Sequence, residues 1–468
     1  MKIEQIYTGC LAEAAYYIES KGEVVIIDPL REVQPYIDRA NKDHAKIKFV
    51  LETHFHADFV SGHIDLAKKT GATIVYGPNA ETGFDAHIAK DGEILKVGDI
   101  SIKVVHTPGH TMESTSYLLL DENQKEHCIF TGDTLFIGDV GRPDLAVKSD
   151  LSQEDLAGHL YESIYHKILP LADDVIIYPG HGAGSACGKN MSKETFSTLG
   201  NQRKYNYALQ CKTKEEFIEK VTTGLTPPPQ YFPKNVMMNK KGYDSMDDIY
   251  EKGLKALTPD EFEEMANELH AMVLDTRSIS SFGKSHIPNS IFIGLDGQFA
   301  PWVGALITDL KQPVLFIADE GKEEEVVTRL ARVGYDHTLG YLKGELPAWK
   351  QAGKEIDVIP SITAKEFEKQ YTRHTFDIID VRRPSEYEAQ HIIDAKNEPL
   401  DYINEWMNLL NRDKTYYIHC AGGYRSMITA SILKSRGWHN LVNIGDGFSA
   451  LEKTTIPMTE FICSNPVK

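Results

Sequence analysis

From residue 1 to about 220, short apolar runs recur, each ending in a loop rich in Gly, Pro, Asp or His. They are EVVIID from Glu23, KFVLE from Lys48, ATIVYG from Ala72, SIKVVHT from Ser101, CIFTG from Cys128 and DVIIYPG from Asp174. Runs of this length bounded by turn formers predict strands. DLAGHLYESIYHKIL (155–169) places apolar residues three and four apart and predicts a helix. Polar loops carrying histidines follow several of the strands, the arrangement of a sheet scaffold that presents a site at its strand ends. The next segment, TPPPQYFPKNVMMNKKG (226–242), is rich in proline and lacks a period, and predicts a linker or extended arm.

Beyond the arm the pattern repeats. LDTR at 274–277 returns as IDVR at 379–382, and HI at 286–287 returns as HI at 391–392, both 105 residues later. Each copy opens on a helix start, TPDEFEEM at 258 or TAKEFEKQ at 363, and reaches an apolar strand, LFIA or YYIH. With 468 residues, a prior of ~150 per domain gives about three domains. The expected division is 1–250, with the proline-rich arm at about 224–250, then 258–357 and 361–468.

Charge and composition narrow the partners. A formal charge of −18, from 50 basic and 68 acidic residues, argues against nucleic acid or an anionic membrane as the main partner. The first twenty residues lack a charged-then-apolar signal pattern, and no apolar stretch approaches the ~20 residues of a membrane span, so a cytoplasmic protein is expected. Cys10, Cys128, Cys187, Cys211, Cys420 and Cys463 are too scattered for a disulfide framework and are read as individual thiols.

Two chemical centres stand out. The first gathers His54, His56 and Asp58 in HFHADF, His110 in TPGHT, Asp133 in FTGDTLF and His181 in YPGHG, each just after a strand-like run. Imidazole and carboxylate donors on neighbouring loops make a metal site. HFHADF resembles the HxHxDH signature of the metallo-β-lactamase superfamily, with Phe59 where the last histidine helps hold a second metal. A phenyl ring cannot ligate, so a one-metal site is implied, favouring dioxygen chemistry over two-metal hydrolysis.

With GRPD at 141–144 added, the region is most similar to the persulfide dioxygenases of that superfamily. The resemblance implies that His54, His110 and Asp133 hold one non-haem Fe(II), leaving three coordination positions open. His56, Asp58 and His181 would orient these ligands; Asp28, ending the EVVIID strand, is read either as a helper of that set or as a turn residue before Pro29. Arg142 would contact a substrate carboxylate, a surface ion pair being the rival reading. After His181 the chain reads GAGSACGKNM, without the tyrosine that animal-type relatives use for glutathione, so the thiol remains open. Cys187 in this loop is read as a small packed side chain, with reactivity as the alternative.

The second centre is CAGGYRS (420–426), between an apolar strand and the helical stretch MITASILKSRG. Backbone N–H groups and the helix dipole favour an anionic sulfur there. The paired units resemble rhodanese domains over about 258–457, which implies Cys420 as sulfur carrier, Arg425 as its catalytic companion, and Ala421, Gly422, Gly423, Tyr424 and Ser426 as the substrate-binding loop. Four residues separate Cys420 from Arg425 where phosphatase loops leave five, which favours sulfur over phosphate. Aligning Ile317 with Ile418 puts Asp319 opposite Cys420 and Glu324 opposite Arg425, so the first copy is expected to be catalytically silent.

The whole chain resembles bacterial fusions of a persulfide dioxygenase with an inactive and an active rhodanese domain. The fold expected is α/β multidomain: a metallo-β-lactamase αββα sandwich followed by two rhodanese-like α/β domains. The resemblance implies that a low-molecular-weight thiol persulfide and dioxygen give sulfite and thiol, after which Cys420 passes a sulfane sulfur to sulfite, forming thiosulfate in sulfide detoxification. A homo-oligomer is the expected assembly. The alternatives are a dinuclear thioester hydrolase of glyoxalase II type and a non-catalytic persulfide-sensing scaffold.

Overall fold

The computed structural model describes residues 1–147, 151–225, 227–371 and 375–462. The chain divides into two units: residues 1–247 with 330–334, and 248–329 with the described residues from 335 onward.

The first unit contains two six-stranded sheets. One runs β1 (Lys2–Thr8), β2 (Glu13–Ser20), β3 (Glu23–Ile27), β4 (Lys46–Leu51), β5 (Thr73–Tyr76) and β6 (His87–Ile88) in chain order. The other comprises β7 (Ile94–Val97), β8 (Ile100–His106), β9 (Thr115–Leu120), β10 (Glu126–Gly132), β11 (Ile176–Pro179) and β12 (Ser197–Thr198), also sequential across the sheet. Tyr16, Ile18, Val25, Ile27 and Leu51 of the first sheet share a core with Ile102, Val104, Tyr117, Leu119 and Phe130 of the second. Each outer face packs helices: Tyr36, Ala40 and Leu66 on one side, Leu160, Ile164 and Phe217 on the other. This is the expected αββα sandwich, and the six predicted strands correspond to β3, β4, β5, β8, β10 and β11.

The proline-rich segment is not an extended arm. Pro233 sits in the first turn of a helix, Phe232–Lys241, where its fixed φ and missing N–H cost nothing. Asn239 of this helix is wholly buried, and its Nδ2 donates to the carbonyls of His56 and Phe59 at 2.8 Å each, while its Oδ1 accepts from Ser61 N at 2.9 Å. Thr226, the first residue of the segment, lies outside the described residues.

The second unit holds the two repeats as parallel five-stranded sheets of identical order. In the first, β13 (Ala256–Leu257), β14 (Met272–Asp275), β15 (Ile291–Phe292), β16 (Val314–Ile317) and β17 (Thr338–Leu342) lie as β13-β17-β16-β14-β15. In the second, β18 (Ser361–Ile362), β19 (Asp377–Asp380), β20 (Lys396–Asn397), β21 (Tyr416–His419) and β22 (Leu441–Ile444) lie as β18-β22-β21-β19-β20. Both copies open on a helix with a reciprocal capping box, Thr258 with Glu261 and Thr363 with Glu366. The 105-residue offset also holds for side chains. Arg277 clasps Asp275 as Arg382 clasps Asp380, each with Nη2 2.6 Å from the far carboxylate oxygen. His286 stacks on Phe282 as His391 stacks on Tyr387.

Strand register corrects the alignment of the nucleophile loop. Asp275 pairs with Ile317 and its counterpart Asp380 pairs with His419, so Ala318, not Asp319, occupies the place of Cys420. The connection to the next helix is 318–322 in the first copy and 420–423 in the second, one residue shorter, which hid the slip in the sequence. Asp319 and Glu324 are exposed.

No helix among the described residues is long and apolar enough to cross a membrane.

Candidate metal centre and sulfur loop

The first site lies where β3, β4, β8, β10 and β11 release their loops. His54, His110 and Asp133 are all buried, and their donor atoms come together closely enough to share one ion. Each imidazole has its tautomer fixed from behind. Thr53 Oγ1 donates to Asp28 Oδ2 at 2.8 Å, so it accepts the Nδ1–H of His54 at 3.0 Å, leaving Nε2 with its lone pair. His110 Nδ1 donates to the Arg142 carbonyl at 2.9 Å and likewise frees Nε2. These two nitrogens stand 3.9 and 3.6 Å from Asp133 Oδ2, a buried oxygen with no hydrogen-bond partner. Burial holds both histidines below their usual pKa, against the pull of Asp133, so both are neutral donors.

Asp133 Oδ1 accepts from His181 Nδ1 at 2.7 Å, and His181 Nε2 reaches Asp58 Oδ2 at 2.8 Å. Burial alone would lower the His181 pKa, but the two carboxylates raise it well above the ordinary value, so the ring bridges them as an imidazolium. Asp133 would be raised by burial, yet His181, His54 and His110 hold it far below the carboxylate range. Gly141 is required here, because a Cβ would lie 1.8 Å from the Asp133 carbonyl oxygen.

His56 turns Nε2 toward Asp28 Oδ1 at 3.1 Å and Glu52 Oε2 at 3.6 Å, and its ring packs 4.4 Å from the fully buried Phe59. Phe59 therefore fills the ligand position as packing. Cys187 lies with Asp58 and His181, close enough for the three to share an ion, but burial pushes its thiol well up, which keeps it neutral and matches a packed side chain. Cys463 lies outside the described residues.

Arg142 departs from the substrate-fork reading. Its Nε and Nη2 bind Asp144 at 2.6 Å each, its Nη1 donates to the Ala186 carbonyl at 3.1 Å, and the side chain is buried. Its observed contribution is the backbone carbonyl that orients His110. Sequence reasoning missed Glu13, whose buried carboxylate lacks hydrogen-bond partners and whose backbone bridges His181, and Glu52, which accepts from Ser61 Oγ at 2.5 Å. An acidic residue at the edge of an apolar strand was the available signal for both. Burial raises both carboxyls well above their ordinary pKa.

In the second repeat Cys420 follows β21, is almost wholly buried, and receives Gly423 N at 3.1 Å and Ser426 Oγ at 3.6 Å on its sulfur. Gly423 has φ of 93°, and a Cβ there would meet the Gly445 carbonyl oxygen at 2.0 Å, so glycine is required to aim this N–H. The helix Tyr424–Ser435 begins at once. Arg425 does not close over an open anion pocket. Its Nη1 and Nη2 bind Glu386 at 2.6 and 2.8 Å. Ser426 faces the sulfur, whereas the Tyr424 hydroxyl donates away from it, to the Gly294 carbonyl at 2.7 Å. Ala421 contributes its carbonyl to Ser449 N, and Gly422 has open space where a side chain would be.

Comparison with known proteins places a family match over each of the two regions. The metallo-beta-lactamase superfamily matches residues 8–181, and the rhodanese-like domain matches twice, at 258–352 and 363–454. The chain is 30% identical over 210 residues to the human mitochondrial persulfide dioxygenase ETHE1, covering 44% of this chain and 74% of that protein. It is 31% identical over 202 residues to the probable hydroxyacylglutathione hydrolase glo2 of Schizosaccharomyces pombe, covering 42% of this chain and 73% of that one. A crystal structure described as a metallo-beta-lactamase from Staphylococcus aureus matches with TM-score 0.64 and 32% identity, over 73% of this chain and 98% of that one.

Proposed function

Because the chain belongs to the metallo-beta-lactamase superfamily and carries two rhodanese-like domains, we propose that it oxidises a low-molecular-weight thiol persulfide with dioxygen and joins a sulfane sulfur to the sulfite formed. The observation that carries this reading is Phe59, a buried phenyl packed on His56 where a second metal would need a donor. The donor set fits one ion: two neutral imidazole nitrogens and an ionised carboxylate oxygen without another partner. Iron(II) bound there would supply dioxygen activation and a seat for the persulfide sulfur.

The chain's own groups do the rest. Thr53 and the Arg142 carbonyl hold the donor faces of His54 and His110 inward. The His181 imidazolium keeps Asp133 ionised and holds a proton beside the site at Nδ1 and Nε2. The first reaction consumes one persulfide, one dioxygen and one water, and releases thiol, sulfite and two protons. In the second, the Cys420 thiolate takes the outer sulfur of another persulfide and releases its thiolate. Sulfite then attacks that sulfur and leaves as thiosulfate, regenerating Cys420. Gly423 N–H and the Ser426 hydroxyl favour the negative sulfur throughout.

The hydroxyacylglutathione hydrolase relatives and the cluster of Asp58, His181 and Cys187 favour a second reading, a two-metal thioester hydrolase. Metal analysis of anaerobically purified protein with oxygen uptake on a persulfide separates them. One iron per chain, with oxygen consumption lost in His54→Ala and Asp133→Ala, is expected. Two zinc ions per chain, thioester hydrolysis and no oxygen uptake would refute the dioxygenase.

A further inference from the structure

Within the second unit a cavity of about 800 Å³ opens between the two repeats. That volume is within the range of about 300–1,000 Å³ usual for small-molecule sites. Phe292 of the first repeat and Tyr424 of the second line it, their ring centroids 5.8 Å apart and tilted by 68°. Asn443 lines it from β22 and is wholly buried. Its Nδ2 donates to Ser361 Oγ at 3.3 Å, but its Oδ1 has no hydrogen-bond partner. Leaving a buried amide oxygen unmet is unfavourable, and a bound donor would relieve it. The cations do not claim it: Arg277 is clasped by Asp275, and Lys284 is exposed. Lys284 and the exposed Asp296 bring opposite charges to the lining, so charge of one sign does not select the ligand.

We propose that this cavity binds a small, flat, largely apolar ring compound whose inward group is an N–H donor to Asn443 Oδ1. The aromatic side chains offer ring faces and edges, and the amide oxygen sets the orientation. The site also touches the sulfur loop's support. Gly445 lines the cavity and its carbonyl packs against Gly423, whose N–H is the one donated to Cys420 Sγ. An occupant would rest against the backbone that cradles the thiol.

Indole and benzofuran distinguish the idea, since they share shape and differ in the N–H. Ligand-observed NMR on the full chain should give saturable indole binding, with benzofuran weaker by about fivefold or more, the ratio expected for one unmet buried acceptor. Ser280 lines the cavity from an exposed position, so Ser280→Trp should fill the space without disturbing the fold, and should abolish indole binding at unchanged melting temperature. Equal affinities for the two probes, absence of saturable indole binding, or unchanged binding in a folded Ser280→Trp variant would each overturn the assignment.

Discussion

Replacing Asn239 by leucine should destabilise the first unit and loosen its metal loop together. The side chains are close in size, so the change removes hydrogen bonds more than volume. Three are lost: those to the His56 and Phe59 carbonyls and that from Ser61 N. At about 1 kcal/mol each the loss is about 3 kcal/mol, and more if the orphaned groups stay dry. For a unit of about this size, 1 kcal/mol moves the midpoint by about 2–4 °C, so the first-unit transition should fall by about 6–12 °C. Differential scanning calorimetry of the full chain measures it, and the second-unit transition serves as the reference. Metal should also dissociate faster, because the carbonyls released belong to the segment that follows His54. A midpoint within 2 °C of the parent protein would refute the view that this helix clamps the loop.

Further expectations concern the sulfur loop. Cys420→Ser should leave metal content and oxygen consumption intact while sulfite accumulates and enzymatic thiosulfate falls at least tenfold, read by thiol-labelling chromatography with the spontaneous reaction subtracted. Asp319→Ala should change neither activity, since Ala318 holds the nucleophile's place and Asp319 is exposed; a changed thiosulfate yield would contradict the register argument. Burial tends to raise the Glu386 carboxyl, but Arg425 holds it below its ordinary 4.5. Its stabilising effect is therefore complete above that value and lost as pH falls through the lower folded pKa. Glu386→Gln should flatten the acid loss of second-unit stability below about pH 4.5, and an identical acid profile in variant and parent would count against the pairing.

Much of the fold was legible because its signals are local. The six predicted strands carry apolar runs between turn formers, and both repeats announce themselves through Thr–Glu capping boxes and the recurring Asp–x–Arg clasp. What stayed hidden depends on tertiary context. β2 reads EAAYYIES, with Tyr16 facing the second sheet and Tyr17 facing the helices, so burial on both sides erased the alternation that marks a strand. The helix at Phe232 was masked by a proline that is harmless in a first turn. At the sites, donor residues were visible, but their partners were not. Arg142 and Arg425 look alike as candidate anion forks until Asp144 and Glu386 are seen already occupying them.

The duplicated clasp gives this molecule an internal standard. Arg277–Asp275 and Arg382–Asp380 share geometry, burial and register, yet only the second stands beside a strand that delivers a nucleophile. The same conservative change, Arg to Lys, made once in each copy therefore subtracts the shared loss of the clasp, while Arg382 also gives up its stacking on the Phe448 ring, 3.7 Å away. Whatever remains after the first is taken from the second is what the nucleophile-bearing copy asks of its arginine beyond the clasp, stacking on Phe448 included, obtained within one polypeptide and under one set of conditions.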